Sequence, residues 1–227
     1  MNERHGLQLA PLIGLVDQVL SAYDRTDLVN TELQLVEVAR AFADTSMADL
    51  YAEDDVHDTG RLAKLVVDPC DGSDNFDGSI GRIAFSAAWV VADQIQGGLV
   101  IDLESSAVYC TELDEIRPAT RSTPPVVIVA ADETSVLSDL NRLPGIPERF
   151  QIRAVGSSAL ALAMVAVGQA SAFVDLTKSG AMAWDVMGGV ALCQSQANQV
   201  LLGWAGAGVP QLMQMKMDRV HAVRVAK

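Results

Sequence analysis

Apolar positions near the start of the chain fall at helical offsets. Leu9, Leu12, Ile13, Val16, Val19, Leu20 and Tyr23 form one stripe and predict a helix over residues 7–23. Leu35, Val38, Ala39 and Phe42 predict a second helix over about 30–43, with Asn30 or Thr31 as its cap. Residues 44–60 then turn polar and acidic, which reads as a loop. A short apolar run predicts a strand at 63–68. Residues 82–93, 98–103 and 106–111 read as successive antiparallel strands, with Gly97-Gly98 as a hairpin turn.

Residues 112–125 are polar and carry prolines, so they read as a connection between two halves. Beyond them the pattern alternates: strand 126–131, helix 134–142, strand 150–155, helix 158–168, strand 171–176, helix 184–196 and strand 198–204. This βαβαβ rhythm predicts an α/β half at 121–227 after an α+β half at 1–120, within one domain. There is no internal repeat and no low-complexity tract.

Composition narrows the function classes. The net charge of −13 argues against a nucleic-acid partner, because phosphate backbones call for Lys and Arg. Cys70, Cys110 and Cys193 form no C-x-x-C pair, and His5, His57 and His221 show no ligand spacing, so reduced thiols are expected and a zinc site is not. No apolar run reaches the ~18 residues of a membrane span, and the first residues lack a signal-peptide pattern. A cytoplasmic protein without a membrane partner is the expectation.

The chemistry concentrates in DPCDGSDNF, residues 68–76, directly after Leu65-Val66-Val67. Bringing acids to the end of a buried strand costs free energy unless a cation or hydrogen-bond donors compensate. Pro69 stiffens the turn, and Asp71, three residues on, can point back toward Asp68. Gly72 and Ser73 open a possible helical turn whose free N–H groups suit a phosphate. Hard oxygen ligands of this kind select Mg²⁺, Mn²⁺ or Ca²⁺. The competing reading is an acidic turn that caps its own backbone.

Three blocks in order resemble the inositol monophosphatase family over about residues 27–203: Asp68-Pro69-Cys70-Asp71-Gly72-Ser73-Asp74-Asn75-Phe76, Gly156-Ser157-Ser158-Ala159, and Trp184-Asp185-Val186-Met187-Gly188-Gly189. The resemblance implies a layered α/β/α/β/α sandwich and a Mg²⁺-dependent phosphomonoesterase acting on a small phosphorylated polyol, sugar or nucleotide. It implies Glu53 (with Asp54 as the alternative), Asp68, Asp71, Asp185 and the Cys70 carbonyl as metal ligands. Ser73, with Glu32, would orient the attacking water. Gly72, Ser73, Gly156, Ser157 and Asp175 would contact substrate. A homodimer is expected on the same ground. Two features depart from the pattern. TELDEIRPATRSTPP follows Cys110 without a G-x-G-A-x-x-N-G motif, and the helix after Trp184 ends in QSQANQ rather than E-A-G-G. A catalytically silent metal-binding or assembly protein on the same fold is the alternative.

Overall fold

In the computed structural model, which describes residues 12–53, 55–75, 82–113, 124–131, 140, 146–177, 181–196, 198–202 and 220–223, helices alternate with two β-sheets. A 3-10 turn at Leu12–Leu15 leads into α1 (Val16–Ala22) and then α2 (Leu28–Thr45). The first sheet holds β1 (Asp49–Ala52), β2 (Val56–His57), β3 (Ala63–Asp71), β4 (Ala84–Val91), β5 (Gln94–Asp102) and β6 (Ala107–Cys110). Its order is β2-β1-β3-β4-β5-β6, antiparallel except where β1 runs parallel to β3. The second sheet holds β7 (Val126–Ala130), β8 (Gln151–Arg153), β9 (Ala172–Asp175), β10 (Gln199–Leu202) and β11 (Val220–Val223), in the order β10-β11-β9-β7-β8. Between the sheets lie α3 (Ser158–Ala166) and α4 (Ala183–Ser195).

The layers follow from which faces are apolar. In α2 the buried residues Thr31, Leu35, Ala39 and Ala43 recur every four positions, making one stripe. That stripe packs with Leu12, Leu15 and Val19 on one face of the first sheet, against Leu65, Val67, Phe85, Ala87 and Trp89. The Phe42 and Trp89 rings meet edge to face at 6.4 Å. The alternate residues Val66, Ala88 and Val90 face the other way, onto Ala183 and Met187 of α4. The central strands are therefore buried on both faces, which is why Leu65-Val66-Val67 of β3 and Ala87-Ala88-Trp89-Val90-Val91 of β4 show no polar alternation.

Helices α3 and α4 are apolar nearly all round, as helices enclosed on every side must be. Glycines bring α4 close to the first sheet and to α3. A Cβ on Gly188 would lie 2.9 Å from the Ala87 carbonyl oxygen and 3.0 Å from that of Leu99, and one on Gly189 would lie 2.5 Å from Leu162 Cβ. Gly98 faces the same helix, where a Cβ would sit 2.4 Å from the Gly188 carbonyl oxygen. On the second sheet, Ile128 and Phe173 point inward to α3, whereas Val127, Val129, Ala172 and Val174 point outward to Leu140, Ile146 and Phe150.

The layered α/β sandwich expected from the sequence is the observed fold, and several local expectations are corrected. The acidic segment 44–60 contains β1 and β2. The cap of α2 is Asp27, whose side chain accepts the Asn30 N–H at 3.1 Å. Thr31 is fully buried and exchanges hydrogen bonds with the Asp24 backbone instead. The β4–β5 turn is Ala92-Asp93, both at positive φ (48° and 60°), a two-residue connection whose handedness suits the twist of the strands. Gly97 and Gly98 lie inside β5, where Gly98 marks a close approach and not a turn. The strand expected at 150–155 spans only residues 151–153. Of the expected helix at 134–142, only Leu140 lies within the described residues. Leu9 and Phe76 lie outside them.

Candidate functional site

Asp68 and Asp71 both belong to β3, three positions apart. In a regular strand an odd separation sends side chains to opposite faces. Here Asp68 pairs with Ser86 and Asp71 with Ala84, so β3 advances three residues while β4 advances two. This bulge brings both carboxylates to the face on which α3 and α4 pack. The local chemistry favours it. Pro69 has no N–H to lose from the ladder, and Asp68 Oδ1 accepts the Cys70 N–H at 2.9 Å, bridging the extra residue.

Asp71 then meets the start of α3. Its Oδ2 accepts the Ser157 hydroxyl and the Ala159 N–H, each at 2.6 Å. Ser157 Oγ in turn accepts the Leu160 N–H at 3.1 Å as the N-cap of α3. Both residues are buried. The loops that carry them interlock. Gly72 and Gly156 adopt left-handed φ values of 90° and 91°. A Cβ on Gly156 would fall 2.0 Å from Asn75 Nδ2, and one on Gly72 would fall 2.9 Å from the Gly156 carbonyl oxygen. Asn75 donates to the Gly72 carbonyl through both its backbone N–H and its side chain. Ser73 opens the 3-10 turn Ser73–Asn75 directly after this glycine.

Asp185 sits in the first turn of α4, where its Oδ2 reaches back to the Met182 N–H at 2.6 Å. It is both a helix cap and a member of the acidic site. Burial first, then the charges of Asp71, Glu53 and Asp175, push its carboxyl up to about 7 against the Met182 N–H. Burial raises Asp71 to about 6, opposed by its donors at the head of α3 and assisted by the charge of Glu53. Asp68 is raised well above the ordinary carboxylate range by burial, then by Asp71, Asp185 and, more weakly, Glu53.

The remaining candidates surround this centre. Asp175 is buried at the end of β9 and accepts from the Thr177 N–H and hydroxyl at 2.8 and 2.6 Å. Its charge reaches Asp185. Glu53 follows β1 and is exposed. Its neighbour Asp54 lies outside the described residues. Glu32 projects from the first turns of α2, and its charge, with those of Asp68 and Glu53, adds to burial in raising the Cys70 thiol. That thiol stays protonated and buried on the α2 side of the sheet, which leaves the carbonyl as the group Cys70 can offer.

The chemistry of these donors is that of ligands for a hard divalent cation. Asp68, Asp71 and Asp185 offer only oxygen, and the charges acting on them most strongly are other carboxylates, a cost that a cation relieves. Among the described residues no three His, Cys, Asp or Glu side chains stand at ligating separation from one point. The Asp71 and Asp185 carboxylates are turned to backbone N–H groups at the heads of α3 and α4. The Ala159 N–H and the Asn75 amide are parts of the site that sequence reasoning missed. A backbone donor leaves no mark in sequence, and Asn75 was visible only as a letter of the motif.

Residues 21–214 match the profile of the inositol monophosphatase family. Inositol monophosphatase 1 of Pongo abelii is 27% identical over 189 residues, 71% of this chain and 64% of that protein. Inositol-1-monophosphatase of Aeropyrum pernix is 31% identical over 126 residues, 49% of this chain and 46% of its own length. The chain thus spans less than two-thirds of the length of either relative. An inositol monophosphatase structure from Anabaena superimposes with a TM-score of 0.63 at 18% identity, covering 94% of this chain and 87% of that one. With the aspartate-bearing bulge, the serine-capped α3 and the acid at the head of α4 in their expected order, the chain belongs to the inositol monophosphatase family.

Proposed function

We propose that the protein is a Mg²⁺-dependent phosphomonoesterase of a small phosphorylated polyol, sugar or nucleotide. The observation that carries this reading is the bulge in β3, which sets Asp68 and Asp71 on one face, within electrostatic reach of Asp185. Glu53, Asp68, Asp71 and Asp185, with the Cys70 carbonyl, would hold the cation. When bound, it supplies Lewis acidity toward water and toward the phosphoryl and leaving oxygens.

The chain's own groups do the rest. The N–H groups of Gly72 and Ser73, at the start of a 3-10 turn, hold phosphoryl oxygens. The Ser73 hydroxyl orients the attacking water together with Glu32, which lies in the first turns of α2. Ser157 holds Asp71 while capping α3, so its contribution to substrate binding passes through that carboxylate. Asp175, whose charge reaches Asp185, and the Gly156 loop, which meets Asn75, would contact the rest of the substrate.

Phosphate release from a panel of sugar, polyol and nucleotide phosphates, with and without Mg²⁺, tests the reading. Mg²⁺-dependent turnover that disappears in Asp71→Asn is expected. Turnover that ignores Mg²⁺, or an Asp71→Asn variant as fast as the parent, overturns it.

A further inference from the structure

Ser86 lies in the middle of β4 and is fully buried, yet its hydroxyl makes no hydrogen bond. A buried, unsatisfied hydroxyl carries a desolvation cost, and strand positions of this kind are ordinarily apolar, as Ala84, Ala87 and Ala88 are here. Its place is specific. Ser86 is the cross-strand partner of Asp68 and borders the bulge that brings in Asp71. Directly paired side chains on one sheet face have Cβ atoms about 4.5–5.5 Å apart, within reach of a hydroxyl on one and a carboxylate on the other. From the opposite side Gly188 of α4 presses on it, since a Cβ there would lie 2.6 Å from Ser86 Oγ. Gly188 is one turn beyond Asp185, so the hydroxyl is lodged between the strand position of Asp68 and the helix that carries Asp185.

We propose that Ser86 is a positioning residue: with a divalent cation bound, its hydroxyl, which has no partner in this structure, donates to the Asp68 carboxylate and holds it in the ligating orientation. Asp68 Oδ1 already takes the Cys70 N–H, and Ser86 would serve the same carboxylate from across the ladder. Such outer partners orient metal-ligating carboxylates and raise metal affinity. This role rests on the Mg²⁺ site proposed above.

The test is calorimetric titration of Mg²⁺ into the metal-stripped full chain, with melting curves in the absence and presence of Mg²⁺, for the parent and for Ser86→Ala. Alanine removes the hydroxyl without adding bulk against Gly188. The expected result is Mg²⁺ binding weakened roughly ten- to hundredfold in Ser86→Ala, with a metal-free melting temperature equal to or above that of the parent. Unchanged Mg²⁺ affinity in Ser86→Ala, beside a parent that binds Mg²⁺, overturns the positioning role alone. A fall in the metal-free melting temperature also overturns it, since the hydroxyl would then be an ordinary structural contact. A parent that binds no Mg²⁺ removes the proposed metal site itself, and Ser86 with it.

Discussion

At the scale of single residues, the acids of the site are held in place at a cost to the fold. Asp71 and Asp185 keep protons up to about 6 and about 7, against an ordinary value of 3.8. Between those limits the folded chain binds more protons than the unfolded one. Stability of the metal-stripped protein therefore falls as pH rises from about 4 to about 7. A divalent cation requires ionised carboxylates, so added Mg²⁺ should raise the melting temperature more at pH 8 than at pH 5. Melting curves across this range check both signs, and the pH slope should shrink in Asp185→Asn. On activity, Asp71→Asn should lower kcat by about 10³-fold, the scale of losing several kcal/mol of metal-assisted stabilisation. Steady-state kinetics at saturating Mg²⁺ would read it. The acids themselves were legible in the sequence, because a motif with fixed spacing carries them. Their convergence was expected too, but from a turn at Pro69; the structure achieves it through a register shift that involves the partner strand β4, which no local pattern reveals.

At the scale of elements, glycines decide how loops and helices meet. Gly156→Ala would place a Cβ 2.0 Å from the Asn75 amide at a φ of 91°. The expected cost is about 1–3 kcal/mol of stability, along with reduced turnover, as the Asn75 and Ser157 loops separate. Gly188→Ala would push α4 away from β4 and β5, a destabilisation of about 1–3 kcal/mol for overpacking. For a chain of this size each kcal/mol lowers the melting temperature by roughly 2–4 °C. Differential scanning calorimetry of both variants checks these magnitudes. The pair Gly97-Gly98 shows why such contacts are hard to read in advance. Two adjacent glycines signal either a turn or a close backbone approach, and local sequence favours the turn. The true turn, Ala92-Asp93, puts an alanine at positive φ, which no turn preference would nominate. Helix periodicity served better in α2, where one face is buried, than in α3 and α4, whose all-round apolarity resembles that of strands.

At the scale of the whole molecule, a net charge of −13 opposes compaction, and any salt relieves part of that repulsion. A specific site makes a further demand. Mg²⁺ at millimolar concentration should stabilise the parent beyond NaCl of equal ionic strength, and Asp71→Asn should reduce that excess. Thermal melts in matched salts separate the two effects. Among the described residues no helix is long and apolar enough to cross a membrane. The alternation of strands and helices disclosed the layers in outline, while the mixed strand directions of the second sheet depended on β11, which carried no distinct signal.

Helix α4 meets the first sheet at Gly188 and α3 at Gly189, where even a methyl group would clash. A helix clamped in this way behaves as a spacer with almost no slack. Asp185 rides at its leading end, so the gap between that acid and the pair on β3 is set by the thickness of the interior and not by the reach of a flexible arm. If the proposed Mg²⁺ site is occupied, substitutions that thicken this seam, however remote from the acids, should shift selectivity toward the larger Ca²⁺ in a competition titration.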